Sequence, residues 1–246
     1  MKAKGYDGVW QSASRSHVRV HERITIISHP TPDSPPRSDT SDLELIGEIV
    51  LLQVQMRSLK RGERPRSWYD PDPITTVPAI QIDPGGVTGI DVAGDPAIGD
   101  VHHRDHPASK FRGENGVSIG LTSHYERMRD RFGDHLQTGI AGENIIVRTE
   151  RVYEESDVAG GFVVMAGRGP VSLRAVESVK PCAEFSKWCL RYPHDHVPDA
   201  AVTDALKFLF SGTRGFLATI ETPVQQDTQR WPRIATGDLV YRRTAP

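Results

Sequence analysis

The densest cluster of proton-transferring and metal-ligating side chains in this chain is Asp100-Val101-His102-His103-Arg104-Asp105-His106. On a helix, His102 and His106 would share a face at i and i+4, like the paired histidines of a zinc protease. Gly99 before the cluster and Pro107 after it favour a loop, and His103 stands where such a protease has its general-base Glu. Besides a dedicated Zn or Fe site, two readings stay open, and the second is compatible with either of the others. The imidazoles and carboxylates order a loop by bonding one another, or the loop walls a pocket. Lys180-Pro181-Cys182 offers a thiol. A thiol is a nucleophile or metal ligand only as thiolate, and a neighbouring lysine such as Lys180 lowers its pKa. Pro181 fixes φ and holds the thiol in place.

Glu143 and Asn144 sit in Gly139-Ile140-Ala141-Gly142-Glu143-Asn144-Ile145-Ile146-Val147, a glycine-flexed turn that enters a hydrophobic strand. Glu accepts hydrogen bonds while Asn both donates and accepts, so the pair can read a heterocycle edge or simply brace the turn. Gly116-Val117-Ser118-Ile119-Gly120 matches the nucleophile elbow of serine hydrolases, with His194 and His196 as candidate bases. Val117, Ile119 and Leu121 alternate with Gly116, Ser118 and Gly120, however, which is the pattern of an ordinary strand. Ser118 as a hydrolase nucleophile is therefore the remote reading.

The elements that must position these groups are mostly short strands. Turn signals such as Pro84-Gly85-Gly86, Gly94-Asp95-Pro96, Gly160-Gly161 and Gly237-Asp238 bracket runs rich in Val and Ile. A half-buried strand is predicted around Ile49–Met56. Others follow at Ala79–Ile82, Gly116–Leu121, Asn144–Arg148, Phe162–Ala166, Val171–Val179, Phe216–Glu221 and Leu239–Arg242. Ser123-His124-Tyr125-Glu126 reads as a capping box opening a helix, with Tyr125, Met128 and Phe132 on one face and Gly133 as its stop. A second helix starts near Pro198-Asp199, carries Val202, Leu206 and Leu209, and ends at Gly212. Many strands, few helices and no strand–helix alternation predict a β-rich α+β domain built as a barrel with a few peripheral helices. Residues 1–42, with four prolines between Ser28 and Asp42, read as a flexible tail, and residues 43–246 as the folded domain.

The 246 residues carry 30 Lys and Arg against 32 Asp and Glu, a formal net charge of −2. That balance argues against a protein built to coat nucleic acid or an anionic membrane. No apolar run approaches the ~20 residues of a spanning helix, and no secretion signal follows Met1, so the expected compartment is the cytoplasm. Two cysteines make no disulfide framework. If 183–191 is helical, Cys182 and Cys189 lie roughly 10 Å apart along the backbone, and both are expected as free thiols.

In this order, Gly99-Asp100 with His102-His103, the helix over 123–132, Gly142-Glu143-Asn144-Ile145, Pro181-Cys182, Thr213-Arg214-Gly215-Phe216 and Ile234-Ala235-Thr236-Gly237-Asp238 resemble the MOSC domain, named for the C-terminal domain of molybdenum cofactor sulfurases. The resemblance runs from about Gly47 to Arg243. It implies a MOSC-type β-barrel and a pocket for the molybdenum cofactor (molybdopterin). Cys182 then coordinates molybdenum or carries transferable sulfur; Cys189 does not match. Arg214, Lys180, His102, Glu143 and Asn144 are the implied cofactor contacts, and His102 or His103 the source of protons. Many relatives have Arg three residues before the cysteine, where this chain has Val179. The resemblance further implies either reduction of an N-hydroxylated small molecule, fed by a separate electron-donor reductase, or sulfur carriage fed by a sulfur-donor protein. A non-catalytic cofactor-binding adaptor is the alternative. Pyridoxal phosphate, which serves the fused sulfurase members, is not expected in this chain.

Overall fold

The longest strand organises everything else. Leu43–Gln55 (β1) buries Ile46, Ile49, Leu52 and Val54 and lies against three partners in turn. It pairs with Leu239–Arg243 (β14) over Leu43–Glu48, with Ile145–Arg148 (β9) over Glu48–Leu52, and with Ile74–Thr76 (β4) over Gln53–Gln55. In this computed structural model the described residues are 42–111, 113, 116–210, 212–221 and 231–244, all within one compact unit. The expected tail, up to residue 41, lies outside them.

From β1 the sheet closes on itself. The neighbours run β14, Phe162–Ala166 (β10), Gly169–Ser178 (β11), Phe216–Ile220 (β12), Val117–Leu121 (β8), β9 and β1, and β1 returns to β14. The result is a seven-stranded barrel, antiparallel except for the β8–β9 pair. Closure removes both free edges, which otherwise present unpaired backbone groups. Inward residues of alternate strand positions, among them Ile49, Ile119, Val164, Leu173 and Phe216, fill the interior. Full burial of each such side chain contributes about 1.5–3 kcal/mol.

Beside the barrel stands a four-stranded sheet. It is made of Arg233–Ala235 (β13), Ala79–Asp83 (β5), Gly86–Ile90 (β6) and Pro96–Gly99 (β7). Lys60–Arg61 (β2) and Trp68–Tyr69 (β3) form a small hairpin. Three helices complete the described fold: Thr122–Phe132 (α1), Ala183–Cys189 (α2) and Ala200–Leu209 (α3). Tyr125 and Met128 of α1, Phe185 and Cys189 of α2 and Leu209 of α3 form a second apolar cluster with Leu59, Tyr69 and Ile146. No helix among the described residues is long and apolar enough to cross a membrane.

The β-rich α+β barrel expected from the sequence is the fold observed, and the predicted strands from Ala79 onward each appear within two residues of their expected bounds. Three details differ. The capping box at Ser123 does not form: β8 runs straight into α1 with Leu121 at its N-cap. The Ser123 hydroxyl bonds Thr149 Oγ1 and the Arg151 carbonyl instead, tying α1 to the segment after β9. The second predicted helix starts as expected near Pro198-Asp199, with Asp199 as its cap, its Oδ1 accepting from the Val202 amide. That helix stops at Leu209, before Gly212, because Phe210 takes up extended backbone. Finally, β2, β3, β4, β6, β7 and β13 lay outside the sequence reading.

Candidate functional site

Where the β2–β3 hairpin, the loop after β7, the turn before β9 and the segment between β11 and α2 meet, they enclose a pocket of about 480 Å³. Its apolar wall includes Leu59, Val101 and Leu217. Cys182, His102, Glu143, Asn144, Lys180 and Arg214, far apart in sequence, all line it. His103 does not. It is 8% exposed and turned to the β5–β6 turn, its Nε2 3.3 Å from Asp83 Oδ2 and its Nδ1 accepting from the Asp105 amide. The loop thus orders itself through its own imidazoles and carboxylates, and also walls the pocket through His102. Among the described residues no three His, Cys, Asp or Glu side chains gather closely enough to hold a metal ion.

Glu143 and Asn144 face the pocket with their polar atoms already engaged. Gly142 turns the chain into them at φ +88°; a Cβ there would come within 2.7 Å of Leu59 and 2.8 Å of Gln55. Glu143, 1% exposed, accepts from Tyr125 Oη at 2.6 Å through Oε2, and its Oε1 meets Arg214 Nη1. The other arm of the Arg214 guanidinium donates to the Ala141 carbonyl, and its face lies 4.7 Å over the Phe185 ring. Burial first, and then the Glu143 carboxylate, hold the Tyr125 phenol well above its usual pKa, so it serves as a fixed donor. Gly215, at φ +94°, lets the chain leave Arg214 past β8: a Cβ there would stand 2.5 Å from the Ile119 carbonyl.

Asn144 is fully bonded. Its Oδ1 accepts from the amide and the hydroxyl of Ser118, and its Nδ2 donates to the Gln53 carbonyl and to Asp100 Oδ2 at 2.9 Å. Both lone pairs and both protons of the amide are therefore in use. Ser118 lies inside β8 and gives its hydroxyl proton to Asn144, so it is not on the strand-to-helix turn that an elbow nucleophile needs.

Asp100 is the carboxylate at the centre of this network. It is 1% exposed and accepts four bonds: from the Gln55 amide and Asn144 at Oδ2, and from the His102 amide and His102 Nδ1 at Oδ1, the last two both at 2.8 Å. Burial pushes its pKa up, but the bonds and charge of His102 outweigh burial and hold it below the usual value. An ionised carboxylate only accepts, so the neutral His102 ring keeps its proton on Nδ1 and its lone pair on Nε2.

Cys182 is half-buried just before α2, and both cysteines are free thiols, as expected. Burial raises the Cys182 pKa; Lys60, the Phe185 amide and Arg214 pull it back only in part. The sequence assigned a lowering role to the neighbouring Lys180. In the structure Lys60, from across the pocket's hairpin, is the stronger cation, and desolvation wins. Cys189, 1% exposed, is pushed up to about 12 by burial and is inert packing.

Lys60, Lys110 and Lys180 also line the pocket, and none pairs with a carboxylate of a described residue. Sequence reasoning missed Lys60, Lys110 and Tyr125. Lys60 sits in a charged stretch that reads as solvated loop, and Tyr125 reads as helix core. Nothing local marked either one.

No protein-family model matches the chain, and no curated protein does. Solved structures similar to it include the YuaD protein from Bacillus subtilis, at 13% identity over 83% of this chain and 97% of that one, with TM-score 0.47. A second, described as a hypothetical protein, is 10% identical over 84% and 71%, with TM-score 0.45. YiiM from Geobacillus stearothermophilus is 16% identical over 81% and 74%, with TM-score 0.41.

Proposed function

We propose that this pocket binds a phosphate-bearing metal cofactor of the molybdopterin type, with Cys182 as the metal ligand, in a MOSC-like domain. The observation that carries the reading is the donor set. One thiol shares a 480 Å³ pocket with three lysines that pair with no described carboxylate and with apolar walls for a flat ring. The residues fit such a group: thiolate suits a thiophilic metal, and ammonium groups suit a phosphate. Lys60, Lys110 and Lys180 are the groups to hold the phosphate, and Cys182 the one to meet the metal. Molybdenum, when bound, would supply two-electron redox chemistry, and the reaction class that the resemblance to the MOSC domain implies is reduction of an N-hydroxylated small molecule by electrons from a separate reductase. Asn144, a contact implied by the resemblance, acts here by shaping the wall, because its amide is fully bonded within the protein. Glu143 and Arg214 brace the wall, and Arg214 gives two of its five N–H groups to Glu143 and Ala141, so its guanidinium joins the lysines as a group to meet the phosphate.

The raised thiol pKa bears on the rival role. A sulfur carrier must attack its donor as free thiolate, whereas a metal displaces the thiol proton as it binds. Burial at Cys182 therefore favours the metal ligand over the persulfide carrier. The test is molybdenum per chain in protein purified from a host that makes the cofactor, wild type beside Cys182→Ala. Near-stoichiometric metal that disappears in the variant supports the reading. No metal in wild type overturns it, and a reducible sulfur adduct on Cys182 would then select carriage.

A further inference from the structure

His102 is the one histidine of its loop that reaches the pocket, and the structure does more than place it there. Asp100 holds the ring from Nδ1, and Asp100 is itself held by the Gln55 amide and by Asn144, whose own amide is locked to Ser118. A buried carboxylate with four donors has one arrangement. The ring it holds is presented on the pocket wall with 58% of its side chain exposed. No described residue bonds its Nε2.

We propose that Asp100 and His102 form the proton-transfer pair of this pocket. His102 Nε2 takes a proton from an N–H, O–H or S–H group of the bound compound, and the imidazolium formed is stabilised by the Asp100 carboxylate. In the reverse sense the imidazolium returns that proton to a heteroatom of the compound. Asp100 is the positioning residue: it sets which nitrogen carries the lone pair. His103 has both nitrogens committed elsewhere and takes no part. This assignment deepens the cofactor reading and rests on it for the identity of the compound, but not for the state of the ring.

The hydrogen-bond count makes Asp100→Asn a sharp probe. An asparagine there has one NH₂ in place of an acceptor. Facing Gln55 and Asn144, it would oppose two donors, and Asn144 cannot flip because Ser118 holds it. Facing His102, it opposes only the backbone amide, provided Nδ1 becomes an acceptor. The variant therefore drives His102 to the other tautomer, with the proton on Nε2 and the lone pair turned away from the pocket.

The tautomer and acylation measurements use the cofactor-free full chain, and molybdenum per chain is measured on separate full-chain preparations from a host that makes the cofactor. Ring nitrogen shifts by ¹⁵N NMR report the tautomer, and the rate of ethoxycarbonylation by diethyl pyrocarbonate, resolved by peptide mass spectrometry, reports the lone pair on Nε2. Wild-type His102 is expected to carry its proton on Nδ1 and to acylate faster than the other exposed histidines. In Asp100→Asn the tautomer switches and acylation at His102 slows at least several-fold. His102→Gln removes the adduct and leaves molybdenum per chain at the wild-type level. An unremarkable wild-type rate, or an unchanged tautomer in a folded Asp100→Asn, overturns the pair. Metal lost in His102→Gln also overturns it, since the ring would then be a ligand. If wild type holds no metal, the cofactor reading fails, while the tautomer and acylation results still decide the pair.

Discussion

Removing the Glu143 carboxylate tests whether this wall is a brace or a contact. Glu143 is 1% exposed, and the Arg214 side chain it meets is 12% exposed, so solvent screens neither charge. In Glu143→Gln the guanidinium faces a neutral amide. That amide has a single oxygen for the two donors, Tyr125 Oη and Arg214, that the carboxylate satisfied together. Breaking a buried pair by removing one partner costs about 3–5 kcal/mol, against about 5–15 kcal/mol of total stability in an ordinary domain. With a urea slope of about 2 kcal/mol per molar, the midpoint falls by about 2 M. Equilibrium urea unfolding followed by tryptophan fluorescence measures it. Arg214→Met should cost a similar amount alone, and the double variant far less than the two together, because no charge is then left stranded. A Glu143→Gln protein that unfolds within 0.5 M of wild type, or single variants whose losses simply add, would refute the brace.

Other consequences follow from the same geometry. Lysine charges at the pocket should matter for retention and not for folding: Lys60→Met with Lys180→Met should lower retained metal during dialysis by about ten-fold or more, at about 1.5–3 kcal/mol per charged hydrogen bond, with an unchanged urea midpoint. His124, buried in α1 with its Nε2 accepting from the Tyr153 amide, has a pKa pushed down to about 4, chiefly by burial. The unfolded chain binds that proton more readily than the native one between pH 6.5 and 4. Stability is thus fully present above 6.5 and lost as pH falls, by about 2 kcal/mol at pH 5, and His124→Gln should flatten that part of the profile. Ser118→Ala should cost about 1–2 kcal/mol by stranding the Asn144 amide, and wild type should take no label from a fluorophosphonate probe; labelling that vanishes in Ser118→Ala would revive a hydrolase.

The barrel was legible because its strands obey the period of two and its turns carry glycine. β10 was placed to the residue, and the start of α3 near Pro198-Asp199 was read from residue type and position alone. β2, β3, β4 and β13 were not legible, since two or three residues fit a period of two or of 3.6 about equally well. β6, Gly86-Val87-Thr88-Gly89-Ile90, was hidden by the glycines that read as turn. The start of α1 was misread for another reason. Ser123 had the type of a cap, but Thr149 and Arg151, more than twenty residues on, compete for its hydroxyl.

That last case also explains what the sequence left undecided at the pocket. Whether Glu143 and Asn144 contact a ligand depends on partners at Ser118, Tyr125 and Arg214, which no local pattern encodes. Once those partners are known, the argument runs by exhaustion. An amide with both protons and both lone pairs in use can bind a ligand only by stranding a protein group, at about 1–3 kcal/mol for each one left unpaired. Asn144 therefore defines the shape of the pocket, and Glu143 and Arg214 are held to that shape by each other. His102 Nε2 and the ammonium groups of Lys60, Lys110 and Lys180 carry no hydrogen bond to a carboxylate of the described fold, while the Cys182 sulfur meets the Phe185 amide and the Glu184 carboxylate. A ligand that meets the lysines and His102 Nε2 strands no protein group of the barrel, which is why the proposed chemistry starts from them.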